Sequence, residues 1–293
     1  MKIGVIGGGS IGLLFSYYLS NFFEVTLYTN TVGQANVINQ NGIHLHQNEM
    51  VKRAMVKSKW VEHWSGEDDL TIIAVKQYHI ENLVDKLTNV KTQKSRNYLF
   101  LQNGMGHLKY LKDINADSVL VSSVDHGAYK INSFSVKHNG IGETKVAVYK
   151  GEFKLPSSIF SIPNFSFVMQ DDYYEMLLTK LVVNAIINPM TALLNVTNGE
   201  IIQNQHFYSI ATNLFTEIKE ILGMENEEYY FQQVISVCQK TSKNRSSMLK
   251  DIEAHRPTEI DAIIGYILEQ ADLNKKEAPI CQMLYQFIKG IEG

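Results

Sequence analysis

The sequence predicts an α/β protein in which an N-terminal doubly wound sheet with an antiparallel edge is followed by an all-helical domain. Two observations support this fold class. In the first half, short apolar runs recur with helix-forming segments between them, as in strands joined by crossover helices. After about residue 171 the strand signals end, and apolar residues follow helical spacing instead. Because 293 residues exceed the length at which one core tends to divide, we expect two domains, 1–168 and 169–293.

Five apolar or β-branched runs are predicted as strands of the sheet. They cover residues 2–6, 24–28, 70–75, 97–102 and 118–123. Residues 70–75 are continuously apolar, which favours a strand covered on both faces. Residues 133–138 and 144–149 alternate more and flank the glycine-containing stretch NGIGE, so we expect them to form an antiparallel hairpin.

Composition and charge exclude several classes of protein. A net charge of -3 argues against nucleic-acid or polybasic membrane binding, because both need concentrated positive charge. Cys238 and Cys281 lack ligand spacing, so neither a disulfide framework nor a structural zinc is expected. The histidines of HLH at 44–46 have no third ligand group beside them, so they are not expected to bind a metal. No metal site is expected elsewhere in the chain. With no uninterrupted apolar run near the roughly 20 residues of a membrane span, we expect a soluble, cytoplasmic protein.

A glycine-rich turn follows the first predicted strand. Gly7, Gly9 and Gly12 satisfy the pattern G-x-G-x-x-G between a strand and a helix. The first glycine makes the tight turn, the second admits a pyrophosphate close to backbone N–H groups, and the third lets helix and strand approach. This context favours a Rossmann-type dinucleotide-binding domain over a plain glycine-rich turn.

The end of the second predicted strand bears on the choice between NAD and NADP. An acidic residue there would bind the ribose 2′-hydroxyl of NAD, but this strand ends in Tyr28, Thr29 and Asn30. An acid would repel a 2′-phosphate, so its absence favours NADPH. Arginine is absent as well, so we expect hydroxyl, amide and backbone donors of Thr29 and Asn30 to bind the phosphate.

Two polar residues follow strands at the edge where α/β sheets bind ligands. Lys76 comes directly after the run 70–75, and Asn103 follows the run 97–102. A solvated lysine and a turn asparagine are the alternative interpretations.

A polar ridge interrupts the apolar helix predicted after residue 180. Lys180, Asn184 and Asn188 recur every four residues, which places them on one side of a helix. A solvent-facing strip is the ordinary interpretation, but the other positions are nearly all apolar and leave little solvated face. We therefore expect the ridge to line a cleft, with Lys180 as the general acid of a carbonyl reduction. Pro189 predicts a kink or a stop directly after the ridge.

The last third of the chain contributes further polar groups. Asn244, Ser246 and Ser247 precede an apolar helix, where they could cap the helix or bind a substrate carboxylate. Glu259 lies in the first turn of the next helix, where it could stabilise the helix dipole or point inward. Thr258 and Asp261 are spaced roughly as a capping box. His126 follows the fifth strand and could border the ligand crevice.

Together these segments resemble the ketopantoate reductase family over almost the whole chain. The matching stretches are IGVIGGGSIG (3–12), AVKQY (74–78), LQNGMG (101–106), KLVVNAIINPMTALLNVTNGE (180–200) and NRSSMLKDIEAHRPTEID (244–261). The resemblance implies a Rossmann domain, a helical C-terminal domain, NADPH as cofactor, and reduction of 2-dehydropantoate to (R)-pantoate in pantothenate biosynthesis.

The resemblance also implies roles for particular residues. Lys180 would be the catalytic acid, and Glu259 would be a carboxylate important for catalysis or cofactor binding. The substrate would meet Lys180 and a set of amide and hydroxyl groups: Asn103, Asn184, Asn188, Asn244 and Ser247. The cofactor would meet the glycine turn, namely Gly7, Gly9, Ser10, Ile11 and Gly12. Lys76 and Asn103 would lie near its nicotinamide end, and Glu259 would also contact the cofactor.

Two other functions are compatible with the sequence. One is a reductase of a different branched 2-oxo acid on the same fold. The other is a non-catalytic NADP sensor, against which the combined presence of Lys180 and Glu259 argues. Many family members have a basic residue where this chain has Thr29 and Asn30. A homodimer is compatible with the helical half.

Overall fold

The computed structural model describes residues 1–293, which divide into two compact units. The sheet unit comprises residues 1–102 and 109–176. The helical unit comprises residues 103–108 and 177–293. The short segment 103–108 therefore belongs to the helical unit although it is preceded and followed by residues of the sheet unit.

Twelve strands form two sheets in the sheet unit. They are β1 (Lys2–Ile6), β2 (Glu24–Thr29), β3 (Ile43–Gln47), β4 (Met50–Ala54), β5 (Lys57–Trp60), β6 (Leu70–Ile73), β7 (Asn97–Phe100), β8 (Ser118–Val124), β9 (Gly127–Lys130), β10 (Ser135–Gly140), β11 (Glu143–Lys150) and β12 (Ser166–Gln170). The larger sheet has the order β12-β11-β8-β7-β6-β1-β2-β5, and the smaller sheet has the order β4-β3-β10-β9.

The larger sheet confirms the predicted doubly wound fold with an antiparallel edge. Six neighbouring strands of this sheet, β5-β2-β1-β6-β7-β8 in spatial order, are mutually parallel. β11 pairs antiparallel with β8. Every residue of β6 and β7 is buried, as expected of strands covered on both faces. Because β1 and β6 are parallel neighbours with Ile6 opposite Ile73, their carboxyl ends open at the same edge.

The predicted hairpin between residues 133–138 and 144–149 is wrong. β10 pairs with β9 and β3 in the smaller sheet, whereas β11 pairs with β8 and β12 in the larger one. The glycine-containing segment between β10 and β11 therefore connects the smaller sheet to the larger one and does not form a hairpin turn. A Cβ on Gly142 would lie 2.4 Å from the carbonyl oxygen of Asp125, so the chain passes there only without a side chain.

Four helices belong wholly or mostly to the sheet unit. They are α1 (Ser10–Leu19), α2 (Val32–Asn41), α3 (Ile80–Asn89) and α4 (Leu108–Leu111), of which α4 begins at the last residue of the helical unit's segment. α1 packs against β2 of the larger sheet and against β3, β9 and β10 of the smaller one. It is buried from Gly12 to Leu19, and Phe15 makes an edge-to-face contact with Phe165 at 4.8 Å between ring centroids.

The helical unit is all-helical, as predicted. Its helices are α5 (Tyr173–Leu194, of which residues 173–176 belong to the sheet unit), α6 (Glu200–Gln203), α7 (Gln205–Leu222), α8 (Glu227–Lys240), α9 (Ser247–Glu253), α10 (Tyr266–Asn274, preceded by a π-helical turn at Asp261–Gly265) and α11 (Pro279–Glu292). By length and composition α5 could cross a membrane, but 72% of its apolar window is buried inside the protein, as in a core helix.

Two local expectations in this unit are not met: a stop at Pro189, which was one of two alternatives there, and the capping box of Thr258 and Asp261. α5 continues past Pro189 to Leu194, because buried residues on both sides of the proline outweigh one lost backbone hydrogen bond. Thr258 and Asp261 do not form a capping box. The Thr258 N–H donates to the Glu292 carboxylate (2.7 Å), and Asp261 accepts from the Tyr285 hydroxyl (2.6 Å).

Candidate active site

The glycine turn between β1 and α1 has the geometry that its sequence predicts. Gly7 has a φ of +119°, and a Cβ on Gly12 would lie 1.7 Å from the Gly7 carbonyl oxygen. A Cβ on Gly9 would meet nothing within 4 Å, and no side chain caps the N-terminus of α1. Open space above Gly9 and free N–H groups in the first turn of α1 fit the pyrophosphate of a dinucleotide.

Lys76 lies at the same edge of the sheet as the glycine turn. The backbone before it packs on Gly7, since a Cβ on Gly7 would lie 2.8 Å from the carbonyl of Ala74. The Gln102 amide donates to the carbonyls of Ile73 and Val75, at 3.0 and 2.8 Å, and so fixes the chain that presents Lys76. Lys76 itself is half-buried.

Thr29 lies buried at the end of β2. This residue is 0% exposed, and its hydroxyl donates to the carbonyl of Thr31 at 2.9 Å. The hydroxyl hydrogen of Thr29 is therefore used within the fold. Asn30 is exposed at the strand end, and Thr31 caps α2 by accepting from the Gln34 N–H.

Two residues that sequence reasoning missed contact the glycine turn. The Lys130 ammonium and the Gln34 side-chain amide both donate to the Gly8 carbonyl, at 2.8 and 2.9 Å. Burial lowers the pKa of Lys130. No local sequence signal could have identified either contact, because Lys130 is 122 residues from Gly8 and lies on β9, a short strand without clear periodicity.

In the helical unit, Asn103 contacts Glu259. The side-chain amide of Asn103 donates to the Glu259 carboxylate at 3.0 Å, and Glu259 is only 8% exposed. Of the two alternatives for Glu259, the inward carboxylate is therefore the one observed. Nearby, the Met105 N–H donates to the carbonyl of Ala262 at 3.2 Å, which holds the segment 103–108 against the π-helical turn.

The polar ridge of α5 is not a solvated face. Lys180 and Asn184 are half-buried, and Asn188 is 6% exposed. This burial excludes the ordinary surface interpretation of the ridge. Its polar groups lie where a bound ligand could satisfy them.

The neighbouring asparagines and serines divide into structural and exposed groups. Ser246 caps α9 by accepting from the Leu249 N–H, and its hydroxyl lies 2.8 Å from that of Thr191 on α5. Asn198 donates to the Thr241 hydroxyl at 2.9 Å and is likewise a structural residue. Asn244 and Ser247, by contrast, are exposed.

His126 lies in the interior of the sheet unit. Its Nδ1 accepts from the Gly142 N–H (3.2 Å) and lies 3.2 Å from Nε2 of His138, while its ring stacks on Phe165. These contacts hold the crossing between the two sheets together, so its role in the structure is one of packing.

Comparison with known proteins identifies the family. Residues 3–151 match the family model described as ketopantoate reductase PanE/ApbA, and residues 172–292 match the one described as ketopantoate reductase PanE/ApbA C terminal. The chain belongs to the ketopantoate reductase family.

Individual ketopantoate reductases align with the whole chain. A 2-dehydropantoate 2-reductase of Bacillus subtilis strain 168 is 40% identical over 297 residues, covering 100% of this chain and 98% of that protein. A 2-dehydropantoate 2-reductase of Listeria innocua is 34% identical, covering 100% of this chain and 97% of that protein.

Solved structures of the ketopantoate reductase fold superpose closely. The crystal structure of a probable 2-dehydropantoate 2-reductase from Bacillus subtilis has a TM-score of 0.89 at 38% identity, covering 99% of this chain and 100% of that one. D-mandelate dehydrogenase in complex with NADH and anilino(oxo)acetate has a TM-score of 0.88 at 21% identity, covering 100% and 98%. At that identity the likeness shows the fold alone.

The placement of Asn103 depends on Gly104, which gives a testable prediction. Gly104 has a φ of +74°, and a Cβ on it would lie 2.1 Å from the carbonyl oxygen of Ala262. We expect Gly104→Ala to lower the free energy of unfolding by at least about 1 kcal/mol, because alanine is strained in this conformation and the clash displaces the segment. Urea denaturation measures the change.

Gly290→Ala is the matched control, since a Cβ on Gly290 in α11 would meet nothing within 4 Å. This variant should be as stable as the wild type or more stable, by up to about 1 kcal/mol. If both variants match the wild type, the segment 103–108 is not held against Ala262.

Proposed function

We propose that this chain reduces 2-dehydropantoate to (R)-pantoate with NADPH, in the pantothenate branch of coenzyme A biosynthesis. Support comes from the 40% identity, over the full chain, to a protein of that activity. The observation that carries the proposal is the buried Glu259 carboxylate paired with Asn103, in the same unit as the half-buried Lys180. A sensor that only bound nucleotide would not need a buried carboxylate and a lysine of this kind.

The proposed reaction requires a proton donor for the substrate. When bound, NADPH supplies the hydride to the C2 ketone. Lys180 donates the proton that the ketone oxygen takes up, so that the ketone becomes an alcohol. Glu259 accepts one N–H of Asn103 and so orients the rest of that amide toward the reacting groups.

The remaining assignments follow the exposure of each side chain. Asn184 and Asn188 provide hydrogen bonds along the ridge, and the exposed Asn244 and Ser247 bind the hydroxyl and carboxylate groups of the substrate. Gly7, Gly9, Ser10, Ile11 and Gly12 hold the pyrophosphate through backbone N–H groups, and Asn30 lies at the adenosine ribose. Lys76 lies toward the nicotinamide. The proposed cofactor residues of the glycine turn thus belong to the sheet unit, and the proposed substrate residues, Asn103 included, belong to the helical unit.

Two further parts of the proposal concern assembly and place of action. We assign the enzyme to the cytoplasm, where both cysteines stay reduced; they are free and buried.

We also propose a homodimer, because Met283, Phe287 and Ile291 lie exposed at four-residue spacing along α11. Light scattering of the purified protein tests this assembly, and a monomer at all concentrations would contradict it.

The alternative function is reduction of a different branched 2-oxo acid on the same fold. D-mandelate dehydrogenase, solved with NADH and anilino(oxo)acetate, shares that fold.

The experiment that tests the function compares kcat/KM for 2-dehydropantoate with that for other branched 2-oxo acids, using NADPH and NADH. We expect 2-dehydropantoate with NADPH to exceed every other combination by at least about tenfold. A higher value for another acid would reassign the substrate, and nucleotide binding without turnover of any acid would support the sensor.

The role of Lys180 gives a separate prediction. Lys180→Ala should lower kcat by at least about 100-fold, because general acid catalysis typically contributes 10² to 10⁴. The Kd for NADPH should stay within about threefold of the wild-type value, as measured by fluorescence titration.

Lys250→Ala is the matched control, since Lys250 is an exposed lysine of the same unit and its side chain takes part in no ion pair. It should leave both kcat and Kd unchanged. Near-native turnover in Lys180→Ala would exclude Lys180 as the proton donor.

A further inference from the structure

The end of β2 carries no positive charge that could bind the 2′-phosphate of NADPH. Thr29 is buried with its hydroxyl occupied, Asn30 is neutral, and Thr31 caps α2. A cofactor with a 2′-phosphate nevertheless brings about two extra negative charges into this region. A cation from another part of the chain would favour NADPH over NADH by pairing with this phosphate.

Lys130 brings such a cation to the glycine turn. It lies at the end of β9 in the smaller sheet, and its ammonium donates to the Gly8 carbonyl at 2.8 Å. An ammonium has three N–H donors, and this contact uses one of them. No acidic residue forms an ion pair with Lys130, and burial is the cause that lowers its pKa. A half-buried ammonium without a carboxylate partner is stabilised by a bound anion.

Gln34 fixes the position of this lysine. One hydrogen of its side-chain amide goes to the Gly8 carbonyl (2.9 Å) and the other to the Ser133 carbonyl (2.8 Å). Ser133 lies in the turn between β9 and β10, so Gln34 ties that turn to the glycine turn. With both hydrogens used, Gln34 is a positioning residue and does not itself bind the phosphate through that amide nitrogen.

Lys130 and Gln34 meet at the same carbonyl, that of Gly8. Gln34 belongs to the first turn of α2, directly after β2, and its amide meets Lys130 at Gly8. In dinucleotide-binding sheets, the adenosine ribose lies between the glycine turn and the end of the second strand. The pyrophosphate lies instead over the N-terminus of α1, beyond Gly9. The ammonium of Lys130 thus meets the glycine turn at the carbonyl that also contacts the first turn of α2, the element that follows the end of β2.

We propose that Lys130 binds the 2′-phosphate of NADPH and thereby selects NADPH over NADH. This inference rests on the proposed function only in taking a nicotinamide dinucleotide as the ligand. The phosphate would then be bound by a lysine of the smaller sheet, next to Gln34, and not by a basic residue at the end of β2.

The test measures the Kd of NADPH and of NADH by fluorescence titration, for the wild type and for three variants. Lys130→Met removes the charge but keeps the length of the side chain, and Lys130→Arg keeps the charge. Lys137→Met removes an exposed lysine from the adjacent strand β10 and is the control. We expect Lys130→Met to weaken NADPH binding at least about tenfold and NADH binding less than about threefold. Lys130→Arg should recover most of the preference, and Lys137→Met should retain all of it.

Competition with 2′-AMP separates the two phosphate sites, since this probe has the 2′-phosphate but no pyrophosphate. Lys130→Met should weaken 2′-AMP binding by the same factor as NADPH binding. An equal loss of affinity for NADPH and NADH would mean that Lys130 contacts the pyrophosphate or stabilises the fold, and it would overturn the proposal. Unchanged affinity for both cofactors would overturn it as well. If Lys130→Met does not fold, Lys130→Gln is measured against the same expectations.

The result for the wild type distinguishes this proposal from the proposed function. A wild type that prefers NADPH, loses that preference in Lys130→Met and turns over no 2-oxo acid would contradict the function and support the role of Lys130. A wild type without preference for NADPH would overturn the role of Lys130 and leave the substrate assignment intact.

Discussion

The hydrogen bond between Asn103 and Glu259 is the constraint on which the proposed active site depends. A carboxylate that is 8% exposed is costly unless it is paired, and the Asn103 amide at 3.0 Å provides a partner. The backbone of the same segment is held by the Met105 N–H on the Ala262 carbonyl, and Gly104 permits the close approach. A segment that leaves β7 of the sheet unit is in this way built into the helical unit.

The pairing explains why the short segment 103–108 is structured as it is. Asn103 follows a buried strand by three residues, at a point where a solvated turn asparagine was the alternative. The carboxylate draws the amide inward and fixes its orientation. The polar ridge of α5 shows the same principle: Asn188 is buried and Lys180 is half-buried, so their polar groups are placed by the fold and not by solvent.

Much of the fold and part of the site could be predicted because the signals are local. The glycine pattern sets the turn between β1 and α1, continuous apolar runs mark buried strands such as β6, and four-residue spacing puts Lys180 and Asn184 on one side of α5. The errors arise where a distant partner decides. β11 pairs with β8 and not with β10, and the Thr258 N–H is taken by Glu292, which is 34 residues away. α5 passes Pro189 because tertiary burial compensates for the lost hydrogen bond.

The cofactor region shows the same limit. Sequence reasoning assigned the phosphate to Thr29 because of its position, but the Thr29 hydroxyl is occupied by the Thr31 carbonyl. A cation that contacts the glycine turn comes from β9, and only the tertiary fold brings Lys130 to Gly8. Local sequence therefore located the glycine turn but not the distant side chains that contact it.

A double-mutant cycle on Asn103 and Glu259 measures directly whether the proposed active site depends on their hydrogen bond. The unfolding free energy and kcat/KM are measured for the wild type, Asn103→Ala, Glu259→Ala and the double variant. If the two side chains act as a pair, the losses are strongly non-additive, with a coupling of at least about 1 kcal/mol. The double variant should then be little worse than the more damaged single variant. If the losses of the two single variants simply add, in both the unfolding free energy and kcat/KM, the two side chains do not act as a pair.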